Sequence, residues 1–470
     1  HLKNQNPDKS FCMLDGMESF GGTWLTHKYP GIRSDSDLFT FGYRFKPWTG
    51  APIASGAQII NYLNEVIEEN QLDQHIRYNH HVATASWCSE SQLWTVTALK
   101  PGKEKDSQQT VTFTANFLWM CQGYYKHEKG YTPQWPSMDD FNGEVIHPQN
   151  WPESSDLNDK KVVVIGSGAT AATLVPNIAE QSKHVTVLQR SPTYFFPREN
   201  ANPLVDQLRA LNIDDSWVHE IARQQILQEQ ASFIETSQNY PNEVKKALID
   251  GVKAHLGDDF DVETHFTPDY NPWRQRIAVV PNGDIFTAIR SGKVSIKTDE
   301  IEHFTANGLQ LKSGENIDAD IVVSATGFNL SVLGEIAFSV DGKPLDFAQT
   351  VGYRGMMFTG VPNMAWVMGY FRASWTLRVD LIGDFICRLL RHMDDNNAKQ
   401  VTMTLRDEDQ DMALLPWIDT DEFNPGYMLR AMHLLPKRGS KADWQHSQDY
   451  WSEKEVLPKV NLDDELFVYK

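Results

Sequence analysis

A chain of 470 residues with 41% apolar residues can bury more than one core, and its composition is that of a globular protein. A formal net charge of −19 argues against nucleic acid as a partner, because a phosphate backbone repels an acidic surface. The four cysteines, Cys12, Cys88, Cys121 and Cys387, show no C-x-x-C pair and no zinc spacing. They are expected to be reduced, buried thiols of a cytoplasmic protein, with no metal site. No uninterrupted apolar run reaches membrane-spanning length, so no obligate membrane partner is expected.

The first predicted element is a short strand over Ser10–Leu14, closed by Asp15 and followed by the glycine pair Gly21-Gly22. A strand ending in an acid ahead of glycines reads as the second strand of a dinucleotide-binding βαβ unit, with Asp15 on ribose hydroxyls. The glycine turn of such a unit lies about 20 residues upstream of the acid. None precedes Asp15, so the first strand and most of the first helix of this unit are expected to lie outside the 470 residues. Ser34-Asp35-Ser36-Asp37 has the composition of a turn. Ile59, Ile60, Leu63 and Val66 share one face of a helix over 57–69. Alternation over His81–Trp87 and Leu93–Ala98 predicts a small antiparallel sheet. The apolar run Phe117–Cys121 predicts a strand that leaves this first nucleotide-binding half at Gly123.

Phe141–Pro152 is proline-punctuated and reads locally as a linker. Lys161–Ile165 is an apolar strand. It runs into Gly166-Ser167-Gly168-Ala169-Thr170-Ala171 and an amphipathic helix, and the strand Val185–Leu188 follows. Glycine–x–glycine between two strands of a βαβ unit predicts a dinucleotide site, with the pyrophosphate on the free N–H groups of the helix N-terminus. Gln189, Arg190 and Ser191 stand where an acid would select NADH. A cation there suits a 2′-phosphate and so predicts NADPH; the other reading of Arg190 is a solvated strand-end charge. Residues 203–256 are helical and polar and predict an insertion that walls a site. Strands are predicted at Ile277–Val280, Val294–Ile296 and Ile321–Ser324, the last ending in Ala325-Thr-Gly327. Leu377, Leu381, Phe385, Cys387, Leu389 and Met393 mark a late core helix, in which Asp380, Asp384, Arg388 and Arg391 exclude a membrane span. The tail from about 399 reads as irregular, with no assignable role.

Two stretches carry a resemblance. Phe141-x-Gly143-x-x-x-His147-x-x-x-Trp151-Pro152 meets every fixed position of the Baeyer–Villiger monooxygenase fingerprint. Gly21-Gly22-Thr23-Trp24, four residues, Tyr29-Pro30-Gly31, three residues and Asp35 meet that family's longer pattern. Phe45–Gly50, Cys121–Tyr125, Asn271–Arg276 and Ala373–Leu377 are similar to its ethionamide-activating branch. The resemblance spans essentially the whole chain apart from the missing glycine turn. It implies an α/β fold with two Rossmann-like, three-layer dinucleotide-binding domains. The flavin-binding domain would comprise residues 1–150 and 326–470. The NADPH-binding domain would comprise 151–200 and 271–325, interrupted by a helical insertion over 201–270.

The resemblance further implies FAD and NADPH as cofactors. O2 and a small ketone or sulfur-containing substrate would react through a flavin C4a-peroxide, giving esters, lactones or sulfoxides. Asp15, Gly22, Thr23, Trp24, Asp35 and Val82 would contact FAD. Gly166, Ser167, Gly168, Ala169, Thr170, Arg190 and Ser191 would contact NADPH. A permanent cation is needed beside a developing anion, and Arg276 fills that role, with Arg274 as fallback and Asp35 as the carboxylate that positions the guanidinium. Phe141, Gly143, His147 and Trp151 would form a hinge, His147 acting as a hydrogen-bonding residue rather than a general base. Two other classes stay open: a heteroatom oxygenase that makes no esters, and a flavin-free inactive fragment.

Overall fold

The computed structural model describes residues 1–102 and 107–470. Its centre is a five-stranded, all-parallel sheet in the order Val294–Thr298, His184–Gln189, Lys161–Ile165, Ile321–Ser324, Glu144–Ile146. Every side chain from Val162 to Ile165 is buried, as a parallel strand covered on both faces requires. Alternation divides them between two cores. Val162 and Val164 face Leu174, Val175 and Ile178 of helix Ala169–Ile178 and Ile285, Phe286 and Ile289 of helix Asp284–Arg290. Val163 and Ile165 face Phe304, Leu309 and Leu311 of a three-stranded antiparallel sheet, Ile301–Thr305, Gly308–Leu311 and Asn316–Asp318. The three layers are therefore helix, parallel sheet and antiparallel sheet.

The helical insertion lies between two strands that pair in parallel, Phe195–Arg198 and Ala278–Pro281. Its helices are Pro203–Ala210, Asp215–Asn239 and Pro241–Leu256, with Asn202 and Asp214 capping the first two. Val218, Ala222 and Ile226 pack against Leu38, Phe39 and the Ile59–Tyr62–Val66 face of helix Gly56–Glu69. The buried Arg223 donates through Nη1 to the carbonyls of Phe39, Thr40 and Gly42, filling the acceptors that end the short helix Leu38–Phe41. The insertion is thus fastened to the loop that carries Asp35 and Asp37.

The remaining chain forms a second unit of shorter strands. Met13–Leu14 pairs with Ile76–Arg77 and Leu118–Met120 with Met364–Trp366, both in parallel. The first strand is therefore shorter than the predicted Ser10–Leu14. The sheet predicted as antiparallel is mixed. His81–Cys88, Leu93–Pro101 and Gln108–Ala115 are antiparallel, but Ala337–Val340 joins the first of them in parallel from far along the chain. Helix Trp375–Asp395 buries Leu377, Phe385, Cys387, Leu389 and Met393, as its periodicity predicts. The buried Arg378 on it forms a two-nitrogen pair with Glu453 at 2.8 and 3.0 Å, fixing the C-terminal region.

Two expectations are corrected. Only Cys387 is a buried thiol; Cys12, Cys88 and Cys121 are exposed, and all four are free. The tail is largely irregular but packed, with Trp417 and Trp444 fully buried, and it supplies a residue to the site. Among the described residues no helix is long and apolar enough to cross a membrane.

Candidate active site

The glycine turn follows strand Lys161–Ile165. Gly166 has φ +122, and a Cβ there would lie 2.4 Å from the carbonyl oxygen of Ala325, so only glycine lets the two strand ends approach. A Cβ on Gly168 would meet nothing within 4 Å, which leaves the space above the helix open. No side chain caps Ala169–Ile178, so its first N–H groups are free for an anion. Ala171 is buried against the sheet, as its place in the pattern requires. Ser167 Oγ donates to the Ser191 carbonyl at 3.1 Å and lies 2.9 Å from Thr193 Oγ1, tying the turn to the end of the next strand. There Gln189 is buried, its amide donating to the His265 carbonyl and Thr298 Oγ1, while Arg190 is exposed. The cation left at the strand end is Arg190, and the uncapped helix with open space before it fits a dinucleotide phosphate.

The fingerprint residues each have a mechanical part. Phe141 is buried edge-on to Phe304. Gly143 passes so close to the Asp320 carbonyl and the Phe141 ring that a Cβ would lie 2.3–2.4 Å from them. His147 Nδ1 accepts from Gln149 N at 3.1 Å, and Nε2–H donates to the Gly327 carbonyl at 3.0 Å. Both ring nitrogens are thus engaged, and burial holds the imidazole below its usual pKa and neutral. Trp151 packs on the core beneath the parallel sheet.

Asp15 Oδ1 accepts from Met17 N at 2.8 Å. Gly22 precedes the turn of helix Thr23–Thr26, which carries Trp24, and a Cβ on Gly22 or Gly123 would meet nothing within 4 Å. Thr26 Oγ1 lies 3.3 Å from His127 Nδ1, so the loops holding these two open glycines are neighbours. Next to Gly123 in the chain is Gln122, whose two side-chain polar atoms are buried without a partner among the described residues. An orphaned amide beside open glycines fits a polar, planar cofactor. Val82 is half-buried against the adjoining core. Gly31, at φ +76, lies against helix Ala169–Ile178: a Cβ there would fall 2.0 Å from Asn177 Nδ2. The Tyr29-Pro30-Gly31 loop therefore packs the second unit against the helix that follows the glycine turn.

Arg276 and Asp35 come together across this junction. Arg276 Nη2 reaches both carboxylate oxygens, at 3.2 and 3.3 Å. One nitrogen makes both contacts, so the pair is not a two-nitrogen fork. Protein surrounds Arg276 although 41% of its side chain is accessible, as for a group lining an internal cleft. The Asp35 charge raises its pKa further, so it stays a cation. Arg274 instead donates to the Asp421 carbonyl at 2.9 Å. Beside Arg276 stand three tyrosines missed by sequence reasoning. Tyr124 donates to Tyr125 Oη at 2.8 Å and stacks on Trp375 with centroids 4.7 Å apart. Tyr427 comes from the tail, its ring 5.9 Å from Tyr125. Burial raises the pKa of all three, so the hydroxyls stay protonated. For Tyr124 and Tyr125 a signal existed: they follow a strand's carboxyl end, where ligands of such folds bind. Tyr427 had none.

On the other side of Arg276 opens a cleft enclosing about 920 Å³, counted to its mouth. Asp35, Asp37, Phe196, Trp273, Phe371 and, from the helical insertion, Phe233 are among its lining. A second hollow is lined by Arg354, Arg406, Asp443 and Asp464, shares no residue with this cleft and is a surface of paired charges.

Known proteins frame this geometry. The family model for flavin-binding monooxygenase-like proteins matches residues 53–340. The FAD-containing monooxygenase EthA of Mycolicibacterium smegmatis is 43% identical over 467 residues, 99% of this chain and 92% of that protein. EthA of Mycobacterium tuberculosis is 42% identical over 467 residues, 99% and 93% of the two chains. Among solved structures, an oxidised steroid monooxygenase bound to NADP superposes with a TM-score of 0.76 at 20% identity, over 99% of this chain and 96% of that one. OTEMO in complex with FAD and NADP gives a TM-score of 0.76 at 19% identity, over 100% and 96%. Identity that low speaks for the fold alone, but the sequence matches go further: the chain belongs to the flavin-binding monooxygenase family.

Proposed function

We propose that the protein is an FAD- and NADPH-dependent monooxygenase that converts ketones to esters or lactones and oxygenates thioethers. The observation that carries this reading is the Arg276–Asp35 pair, a permanent cation lining a cleft of mixed apolar and polar walls where the two units meet. Bound FAD, reduced by NADPH, would supply the activation of O2. Gly22, Thr23 and Trp24, with Asp15, Asp35 and Val82, would hold the flavin. The turn Gly166–Thr170, with Arg190 and Ser191, would hold NADPH. The flavin would then be served by residues 1–150 and 326–470, and the nicotinamide cofactor by 151–200 and 271–325, the insertion over 201–270 closing the cleft.

In ester formation the ketone, O2, NADPH and a proton give the ester, NADP⁺ and water. The carbonyl oxygen gains negative charge when the carbonyl carbon is attacked. Arg276 is placed to donate to that oxygen, and once substrate and cofactors exclude water one such donor is worth about 2.7–4 kcal/mol. Asp35 holds the guanidinium in place, and the protonated tyrosines add hydroxyl donors on the far side without adding charge. His147, neutral and doubly bonded, anchors the linker between the units.

The test is turnover of phenylacetone and methyl phenyl sulfide under ¹⁸O2 by the FAD-loaded protein. Ester and sulfoxide carrying one labelled oxygen are expected. Labelled sulfoxide with no ester would mark a heteroatom oxygenase, and NADPH consumption with hydrogen peroxide as the only product would overturn the reading.

A further inference from the structure

Asp37 has no part in the reading above, yet it lines the same cleft. Its residue is 6% exposed. Oδ1 accepts from Phe39 N at 2.8 Å and so caps the helix Leu38–Phe41. Oδ2 is buried and has no partner among the described residues. Burial is the main cause that pushes this carboxyl up to about 6, with Arg198 drawing it down and Glu229 pushing it up. The arginines of the cleft are already paired. Arg276 holds Asp35, Arg198 lies 3.8 Å from Glu229, and Arg372 lies 3.7 Å from Glu422. Asp37 is left without a counterion at ion-pair distance among the described residues.

A second acceptor stands in the same wall. Gln230, on the long helix of the insertion, also lines the cleft, and its Oε1 is buried and has no partner among the described residues. The same cleft is also lined by the apolar side chains of Ile53, Phe196, Phe233, Ile234 and Phe371. A buried acceptor with no donor is costly, and in a native protein it marks a place where a donor arrives. A site built to hydrogen-bond a substrate group also rejects the analogue that lacks it, because the acceptors are then left unpaired.

We infer that Asp37, with Gln230, is a specificity-determining residue: the acceptor pair selects apolar substrates that carry an N–H or O–H donor over hydrocarbon isosteres of the same shape. This inference rests on the cleft being the substrate cleft of the proposed monooxygenase. It deepens that reading by naming the substrate class, an amphipathic molecule with its reacting centre at Arg276 and a donor at its other end.

The test uses the FAD-loaded enzyme with NADP⁺ and two sulfides of matched shape, 4-aminophenyl methyl sulfide and 4-methylphenyl methyl sulfide. Calorimetric Kd and kcat/KM for sulfoxidation are measured for both. The wild type should prefer the amino compound by about tenfold or more, the range of a hydrogen bond to a charged acceptor. Asp37→Asn keeps an oxygen for the helix cap and turns the second group from acceptor to donor, so the preference should fall to about twofold or less. Gln230→Leu, on a different element, should lower the ratio as well and decides the matter if Asp37→Asn does not fold. Equal affinity of the wild type for the two sulfides, or an unchanged ratio in the variants, overturns the inference; ordered water would then satisfy both acceptors. Failure of the function reading looks different: neither sulfide is oxygenated, while the Kd ratio still reports on Asp37.

Discussion

The turn at Gly166–Ala171 and the cleft at Arg276 lie in one molecule and are built in opposite ways. Residues 161–191 contain everything the turn needs: the strand that supports it, the helix whose N-terminus is left uncapped, and the exposed Arg190 at the next strand's end. The surroundings of Arg276 come from far apart in the chain: Asp35 from a loop, Tyr124 after a strand, Phe233 from the insertion, Trp375 from a late helix and Tyr427 from the tail. A site made of adjacent residues survives as a pattern, whereas a site made by packing exists only once the cores around it have formed. The first should fail by local geometry and the second by loss of a single placed group.

The largest effect should come at the assembled site. Arg276→Ala should lower oxygenated product by roughly 10²–10³-fold while NADPH oxidation continues, read as hydrogen peroxide released per NADPH. Arg276→Lys should recover little, since a point charge does not reproduce the planar donor set, and Asp35→Ala should be milder than either because it removes positioning and leaves the cation. Near wild-type oxygenation by Arg276→Ala would remove the cation from the mechanism and turn attention to Arg274.

The loop beside that site should show its dependence on packing through pH. His27 is 3% exposed, and burial depresses its pKa to about 4. The unfolded chain takes up its proton near pH 6.5 and the folded chain only near 4, so stability is full above 6.5 and falls as pH drops through that window. The loss attributable to His27 should approach about 3 kcal/mol at the bottom of the window. Urea melts of the wild type and His27→Phe at pH 7 and pH 4.5 measure it; an equal pH dependence in both proteins would show that His27 is not its source.

The local site gives the next effect. Arg190→Ala should weaken NADPH by roughly 10–150-fold and leave NADH nearly unchanged, as loss of a charge-assisted bond to one phosphate requires. Equal losses for the two cofactors in binding titrations would make Arg190 a solvated charge. The smallest effect tests the lock between the two sites. Gly31→Ala forces a side chain into a left-handed conformation against Asn177 and should lower stability by about 1–2 kcal/mol, seen as a reduced melting temperature. An unchanged melting temperature would show that the loop yields freely.

Sequence alone determined the parts whose physics is short-ranged. A run of buried β-branched residues, two glycines and an apolar helical stripe dictate strand, turn and helix at 161–178 wherever they occur. The wording from Phe141 to Trp151 was legible only through its family resemblance, because the groups it acts on lie far along the chain: Gly143 approaches the Asp320 carbonyl and His147 donates to the Gly327 carbonyl. Tertiary structure decided the rest. Cys121 carries the same side chain as Cys387, but it borders an opening while Cys387 faces a core. Tyr427 sits in a stretch without period or motif, and contacts far along the chain hold it beside Arg276, among them Asn424 N to the Arg274 carbonyl and Arg274 to the Asp421 carbonyl. Asp37 and Asp35 are two residues apart in a turn-like tetrad, and nothing local separates them. Their fates differ because one meets a guanidinium brought from position 276, while the other meets a helix N-terminus on one oxygen and an apolar cleft on the other. Which carboxylate is paired and which waits for a donor is a property of what folding brings opposite each.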